Sequence, residues 1–151
     1  MNLLYKIIYL IFFISFYTFY SFSSELVVTS NGKRTISETI NIGLNKTKTL
    51  IKNDATFSDN YGNIGIITCL GTMENDSNNI EFNLKCEGIN QKDERFWTKI
   101  YREKGGKDAG IGTLEYIGGE GFYKKLIGKK CNYAIKYFRK NIYFFKQNCK
   151  L

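Results

Sequence analysis

The sequence predicts an all-β domain of eight short strands, a sandwich or a closed barrel, and three observations predict it. Runs with period-two alternation, or with β-branched and aromatic enrichment, recur eight times. Between them stand clusters of Asn, Asp, Gly and Ser, the residues that turns require. Four cysteines fall where they face one another across two of the hairpins that these turns define.

The first segment is not part of that domain. One cation, Lys6, precedes an apolar run from Ile7 to Phe22 that no charge interrupts, and Ser21 and Ser23 supply the small residues of a signal-peptidase site. Residues 1–23 therefore read as a signal peptide cut before Ser24, and residues 24–151 as one exported domain, periplasmic or secreted. Sixteen apolar residues at about 1.5 Å each reach roughly 24 Å, short of the ~30 Å needed for a membrane anchor.

In order, the strands are expected at Glu25 to Thr29, Thr47 to Phe57, Gly65 to Glu74, Ile80 to Gly88, Arg95 to Arg102, Gly110 to Ile117, Cys131 to Phe138 and Ile142 to Cys149. Turn chemistry separates them, as at Asp59-Asn60-Tyr61-Gly62-Asn63 and Lys104-Gly105-Gly106-Lys107-Asp108. Ile36 to Leu44 reads as a loop or brief helix, and Tyr123 to Ile127 as a single helical turn. No long helix alternates with the strands, so a βαβ fold does not fit.

Export would carry all four cysteines into an oxidising compartment, where thiols pair. Folding the chain about Asn75-Asp76-Ser77-Asn78-Asn79 sets Cys69 against Cys86, Gly71 against Leu84 and Met73 against Phe82 on one face. Thr72 then faces Asn83, and Glu74 faces Glu81, on the other, which is apolar-in and polar-out. Folding about Arg139-Lys140-Asn141 sets Cys131, Tyr133, Ile135 and Tyr137 against Cys149, Gln147, Phe145 and Tyr143. Two cross-strand disulfides, Cys69–Cys86 and Cys131–Cys149, follow from these registers.

One stretch carries a resemblance. Gly110-Ile111-Gly112-Thr113-Leu114, then Ile117-Gly118-Gly119-Glu120-Gly121-Phe122-Tyr123, then Gly128, resembles the glycine-rich signature of the allene oxide cyclase and dirigent-like barrels. The resemblance implies a small eight-stranded antiparallel β-barrel, with a tendency in some relatives to form homo-oligomers. Phe122 or Tyr123 would plug one end, and Gly128 would let the chain bend back into a strand. No catalytic set carries across.

Composition narrows the chemistry. The chain has no histidine, which removes Ser-His-Asp and Cys-His catalysis and every histidine-containing zinc site. The loop Gly118-Gly119-Glu120-Gly121 lacks a GK[ST] ending and a following long helix, so it reads as a turn and not a phosphate cradle. Glu74, Asp76 and Glu81 lack the ligand ladder of a calcium loop and read as a solvated tip. Neither a cofactor nor a metal is expected. Trp97, Tyr101, Tyr133, Tyr137, Tyr143 and Phe145 are expected chiefly to fill an eight-stranded barrel, the alternative being a ligand cavity in its mouth.

Charge is distributed unevenly. Residues 24–120 hold 12 basic and 14 acidic side chains, whereas residues 121–151 hold 9 basic and none acidic. Lys124, Lys125, Lys129, Lys130, Arg139 and Lys140 are the candidate anion-binding residues, and Lys136 and Lys146 alternate with Ala134 and Phe144 on the outer face of the last hairpin. For an exported protein the available polyanions are anionic lipid or envelope polymer, not nucleic acid. The reading is a non-enzymatic binding module; the alternative is a small isomerase or cyclase using Glu115 or Tyr116 on an apolar substrate.

Overall fold

The computed structural model describes residues 24–76, 79–102, 109–139 and 141–151. The expected leader, the centres of two expected turns and Lys140 lie outside the described residues.

Eight antiparallel strands close into a barrel in sequence order, β1 pairing with both β2 and β8. They are β1 (Glu25–Gly43), β2 (Lys46–Asp59), β3 (Ile64–Asp76), β4 (Asn79–Asn90), β5 (Arg95–Arg102), β6 (Ala109–Gly119), β7 (Lys130–Phe138) and β8 (Ile142–Lys150). A short 3₁₀ turn, Gly121–Leu126, stands where a single helical turn is expected. Closure leaves the barrel wall without the open edges of a sandwich, and neighbour-to-neighbour pairing needs only short connections.

One expectation is corrected. The stretch from Ile36 to Leu44, read as a loop or brief helix, continues β1 as far as Gly43 and pairs with β2, with a register shift between Ile36 and Glu38. Thr35, Ile36, Thr39, Ile40 and Ile42 are β-branched and stiff at χ1, which suits a strand once β2 lies alongside. Asn45, with φ of 58°, turns the chain into β2. Beyond Lys33 this half of β1 has outrun β8, whose first residue, Ile142, pairs with Lys33.

Both expected hairpin registers are present. Cys69 pairs with Cys86 and Met73 with Phe82 across β3 and β4, and Tyr133 pairs with Gln147 and Tyr137 with Tyr143 across β7 and β8. Both disulfides form, Cys69–Cys86 and Cys131–Cys149, and all four cysteines are buried. Inward residues alternate along most of the barrel wall, as in β4, where Ile80, Phe82, Leu84 and Cys86 are buried and the intervening residues exposed.

One end is stoppered as expected. Tyr123, 1% exposed, drops from the 3₁₀ turn onto Phe96, with ring centroids 4.5 Å apart. Gly128, at φ of +81°, adopts the left-handed conformation from which the chain re-enters a strand. An aromatic buried this way contributes mainly through the apolar area it removes from water.

Candidate functional site

The barrel interior is nearly solid. A residual cavity of about 50 Å³ remains among Phe57, Cys69, Leu84, Tyr116, Phe145 and Gln147, room for a water molecule or two and not for an apolar substrate. Tyr133, Tyr137, Tyr143 and Phe145 point inward and fill it, whereas Trp97 and Tyr101 lie on the other face of β5 and do not contribute. Gln147 donates to the Tyr116 hydroxyl at 3.0 Å in this core. Burial pushes the Tyr116 phenol up to about 12, the Gln147 hydrogen bond only partly offsetting it. Glu115, the other residue of the enzyme alternative, projects from the opposite face of β6.

The structure divides the five described candidate anion-binding residues between the two ends of the barrel. Lys124 and Lys125 lie on the 3₁₀ turn, and Lys129 and Lys130 lead into β7, with exposed Ile127 between the two pairs. Lys125 Nζ sits 4.0 Å from the Phe122 ring and 5.2 Å from Tyr61, so part of its role is packing against the plug. Arg139 follows β7, whose nine residues at about 3.3 Å each put roughly 30 Å between it and Lys130. These five described residues therefore do not form one patch.

What joins the two ends is the outer face of β7 and β8. Lys136 stands opposite Phe144 and Ala134 opposite Lys146, an alternating pattern that presents apolar and cationic groups together. Ile111 on β6, 73% exposed, extends the apolar part, and Phe144 is 53% exposed. These residues line a shallow groove of about 540 Å³ whose side chains include no carboxylate.

One carboxylate of the acidic tip, Glu74, is neutralised locally. Lys48 donates to Glu74 at 2.8 Å, holding that carboxyl below its ordinary range, and Lys46 adds a contact at 3.6 Å. Among the described residues, no three His, Cys, Asp or Glu side chains converge to hold a metal ion.

Sequence reasoning missed two buried cations. Arg34 continues the inward series Leu26, Val28, Ser30 and Gly32 of β1, and Arg102 continues Phe96, Thr98 and Ile100 of β5. Their exposures are 8% and 3%. Strand parity was the available signal, and it was lost where β1 was expected to end at Thr29. Gly110 is part of the same arrangement, because a Cβ there would overlap the Arg102 guanidinium. The first glycine of the Gly110–Gly128 pattern thus makes room for a buried arginine.

No family model matches the chain, and no curated protein or solved structure does.

Proposed function

We propose that this chain is an exported, non-enzymatic barrel that binds anionic envelope material, either lipid head groups or an acidic polymer, through the outer face of β7 and β8. The observation that carries the reading is the exposed pattern of Lys136 and Lys146 around Phe144, continued by Ile111 and free of carboxylates. Cations attract the polyanion while the apolar groups enter the interfacial layer. Lys129 and Lys130 at one end and Arg139 at the other extend the attraction along the hairpin.

Two further observations support it. The two disulfides suit an oxidising, non-cytoplasmic compartment, which is where a chain with the leader at residues 1–23 would be delivered. A cavity of about 50 Å³ gives an isomerase or cyclase no room for its substrate. Kinship with the allene oxide cyclase and dirigent-like barrels is part of the proposal and rests on the glycine positions alone.

Co-sedimentation with vesicles tests this directly. The protein should bind vesicles containing anionic lipid and release them as salt rises, since each cation near the surface contributes up to ~1 kcal/mol over a Debye length of about 8 Å. Lys136→Gln with Lys146→Gln should remove more binding than Lys124→Gln with Lys125→Gln, and Phe144→Ser should weaken what salt does not. Wild-type protein that ignores both anionic vesicles and acidic envelope polymer at low salt would overturn the reading.

A further inference from the structure

The first half of β1 is flanked by β2 and β8, and the second half is not. Ile142, which opens β8, pairs with Lys33, and the Arg34 N–H still donates to the carbonyl oxygen of Asn141 at 2.7 Å. From Thr35 onward the strand is held by β2 alone. Among the described residues, no backbone group of residues 35–43 makes a hydrogen bond outside that ladder, so a row of N–H and C=O groups faces an open gap above β8.

This edge is unusually bare. Every residue from 35 to 45 is exposed, so both faces of the half-strand as well as its edge are in water. Ile36, Ile40, Ile42 and Leu44 are between 40% and 98% exposed. Edges that must stay single are blunted by lysine, by proline or by bulges that turn them away. Residues 35–43 hold neither lysine nor proline, and Glu38, beside the register shift that follows Ile36, is their one charge.

The shape of the gap identifies its occupant. It is nine residues long, 35 to 43, with Thr39 at its middle. The same nine residues of a second copy, run antiparallel about a two-fold axis at Thr39, fill it from end to end. In that register Thr39 faces Thr39 and Glu38 faces Ile40, so no like charges meet. An axis at Glu38 would set two carboxylates against each other, and an axis at Ile40 would leave Thr35 and Ile36 without partners. Slips of an odd number of residues would oppose inward to outward side chains. Leu44 then reaches the level of Arg34 in the other copy, where the turn between β7 and β8 closes the gap and Phe138 and Ile142 are exposed.

We infer that the second half of β1 is a dimerisation arm, through which two copies of this chain pair along residues 35–43 about a two-fold axis at Thr39. The pairing joins the two barrel walls into one continuous sheet and, being isologous, closes at two copies. It does not depend on the lysine face, because Lys146 and Phe144 lie beside Thr29 and Asn31 in the first half of β1 and stay uncovered.

Sedimentation velocity of the disulfide-bonded protein over about 1–100 μM, with hydrogen exchange on the same samples, tests this. A monomer–dimer equilibrium is expected, with the amides of residues 35–43 gaining protection as concentration rises. Thr39→Lys and Thr39→Glu each set like charges against each other at the axis. Residue 39 is exposed and its side chain contacts Thr49 through a 3.1 Å hydroxyl pair, so either change should lower the urea midpoint only slightly. Each should raise the dimer dissociation constant at least about tenfold, and an equimolar mixture of the two should restore the dimer as Lys meets Glu.

Recovery in the mixture separates a lost interface from a damaged strand. Wild-type protein that stays monomeric throughout, or that assembles beyond the dimer, would overturn the inference. So would a dimer equally stable in both variants, a dimer whose residues 35–43 gain no protection, or loss in both variants without recovery on mixing.

Discussion

Gln147 donates a 3.0 Å hydrogen bond to the hydroxyl of Tyr116 at the centre of the barrel, where the two residues are 3% and 2% exposed. Both lie away from bulk solvent, so the pair is expected to behave as a unit. Gln147→Leu should cost about 1–3 kcal/mol, because it leaves a buried hydroxyl without its donor. Tyr116→Phe should cost a similar amount, and the double variant clearly less than the sum. Urea unfolding of the four proteins measures the coupling, and strict additivity would show that the bond contributes nothing.

The disulfides close loops of 17 and 18 residues in the chain, for which restriction of the unfolded state contributes about 3 kcal/mol each. Replacing Cys131 and Cys149 together with Ala should lower stability by roughly that amount while the other pair still forms. Because all four sulfurs are buried, the native protein should resist reduction by dithiothreitol until urea opens it. Rapid reduction without denaturant would contradict the burial, and peptide mapping that linked Cys69 to Cys131 or Cys149 would contradict the pairing.

These two pairings were readable from sequence because side-chain direction in a strand has a period of two. Once Cys69 faces Cys86, every neighbour on both strands is assigned a side, and Met73 opposite Phe82 confirms the choice. The second half of β1 was not readable by the same rule. Beyond Arg34 it rises past β8, so residues on both of its faces are exposed and no apolar alternation marks it as a strand. Arg34 itself was hidden by the same error. The basic segment, residues 121–151, was legible as a charge excess and not as a place, since a count of lysines does not show that β7 separates Lys130 from Arg139.

Removal of the leader is a separate expectation. The described chain begins at Ser24, whose carbonyl accepts from the Leu151 N–H at 2.8 Å, and β1 begins at Glu25. A cut before Ser24 would therefore leave each of the eight described strands whole. Mass spectrometry of protein exported by its native host should find a chain starting at or near Ser24. Retention of Met1 to Phe22 in the mature product would show instead that the segment is an anchor.

Gly110→Ala probes how tightly Arg102 is enclosed. The new methyl group would overlap a guanidinium that is 3% exposed, so the arginine must leave its place against Phe82 or β6 must shift. Overpacking of this kind costs typically about 1–3 kcal/mol. The loss should appear as a lower urea midpoint with an unchanged slope. A midpoint equal to wild type would mean that Arg102 does not lie across Gly110 in solution.

The interior tyrosines set the response to alkali. Burial raises Tyr116, Tyr133 and Tyr143 to about 12 from an ordinary 10.0, and it raises Tyr123 further still. An acid whose pKa is higher in the folded state contributes stability that is intact below the unfolded value and disappears between the two values. These four groups therefore favour folding below pH 10 and lose that contribution as pH climbs from 10 through 12. Arg34 acts in the opposite sense: its folded pKa, brought down to about 10, means that its burial penalty is present below pH 10 and is relieved above it. One arginine opposes four phenols, so the net slope should be a loss of stability above pH 10. Absorbance at 295 nm should show the four buried phenols ionising only as the barrel opens. In Arg34→Leu the opposing contribution is gone, and stability measured by urea at pH 9, 10 and 11 should fall more steeply than in the wild type. A parallel fall in the two proteins would mean that Arg34 is not buried as a cation.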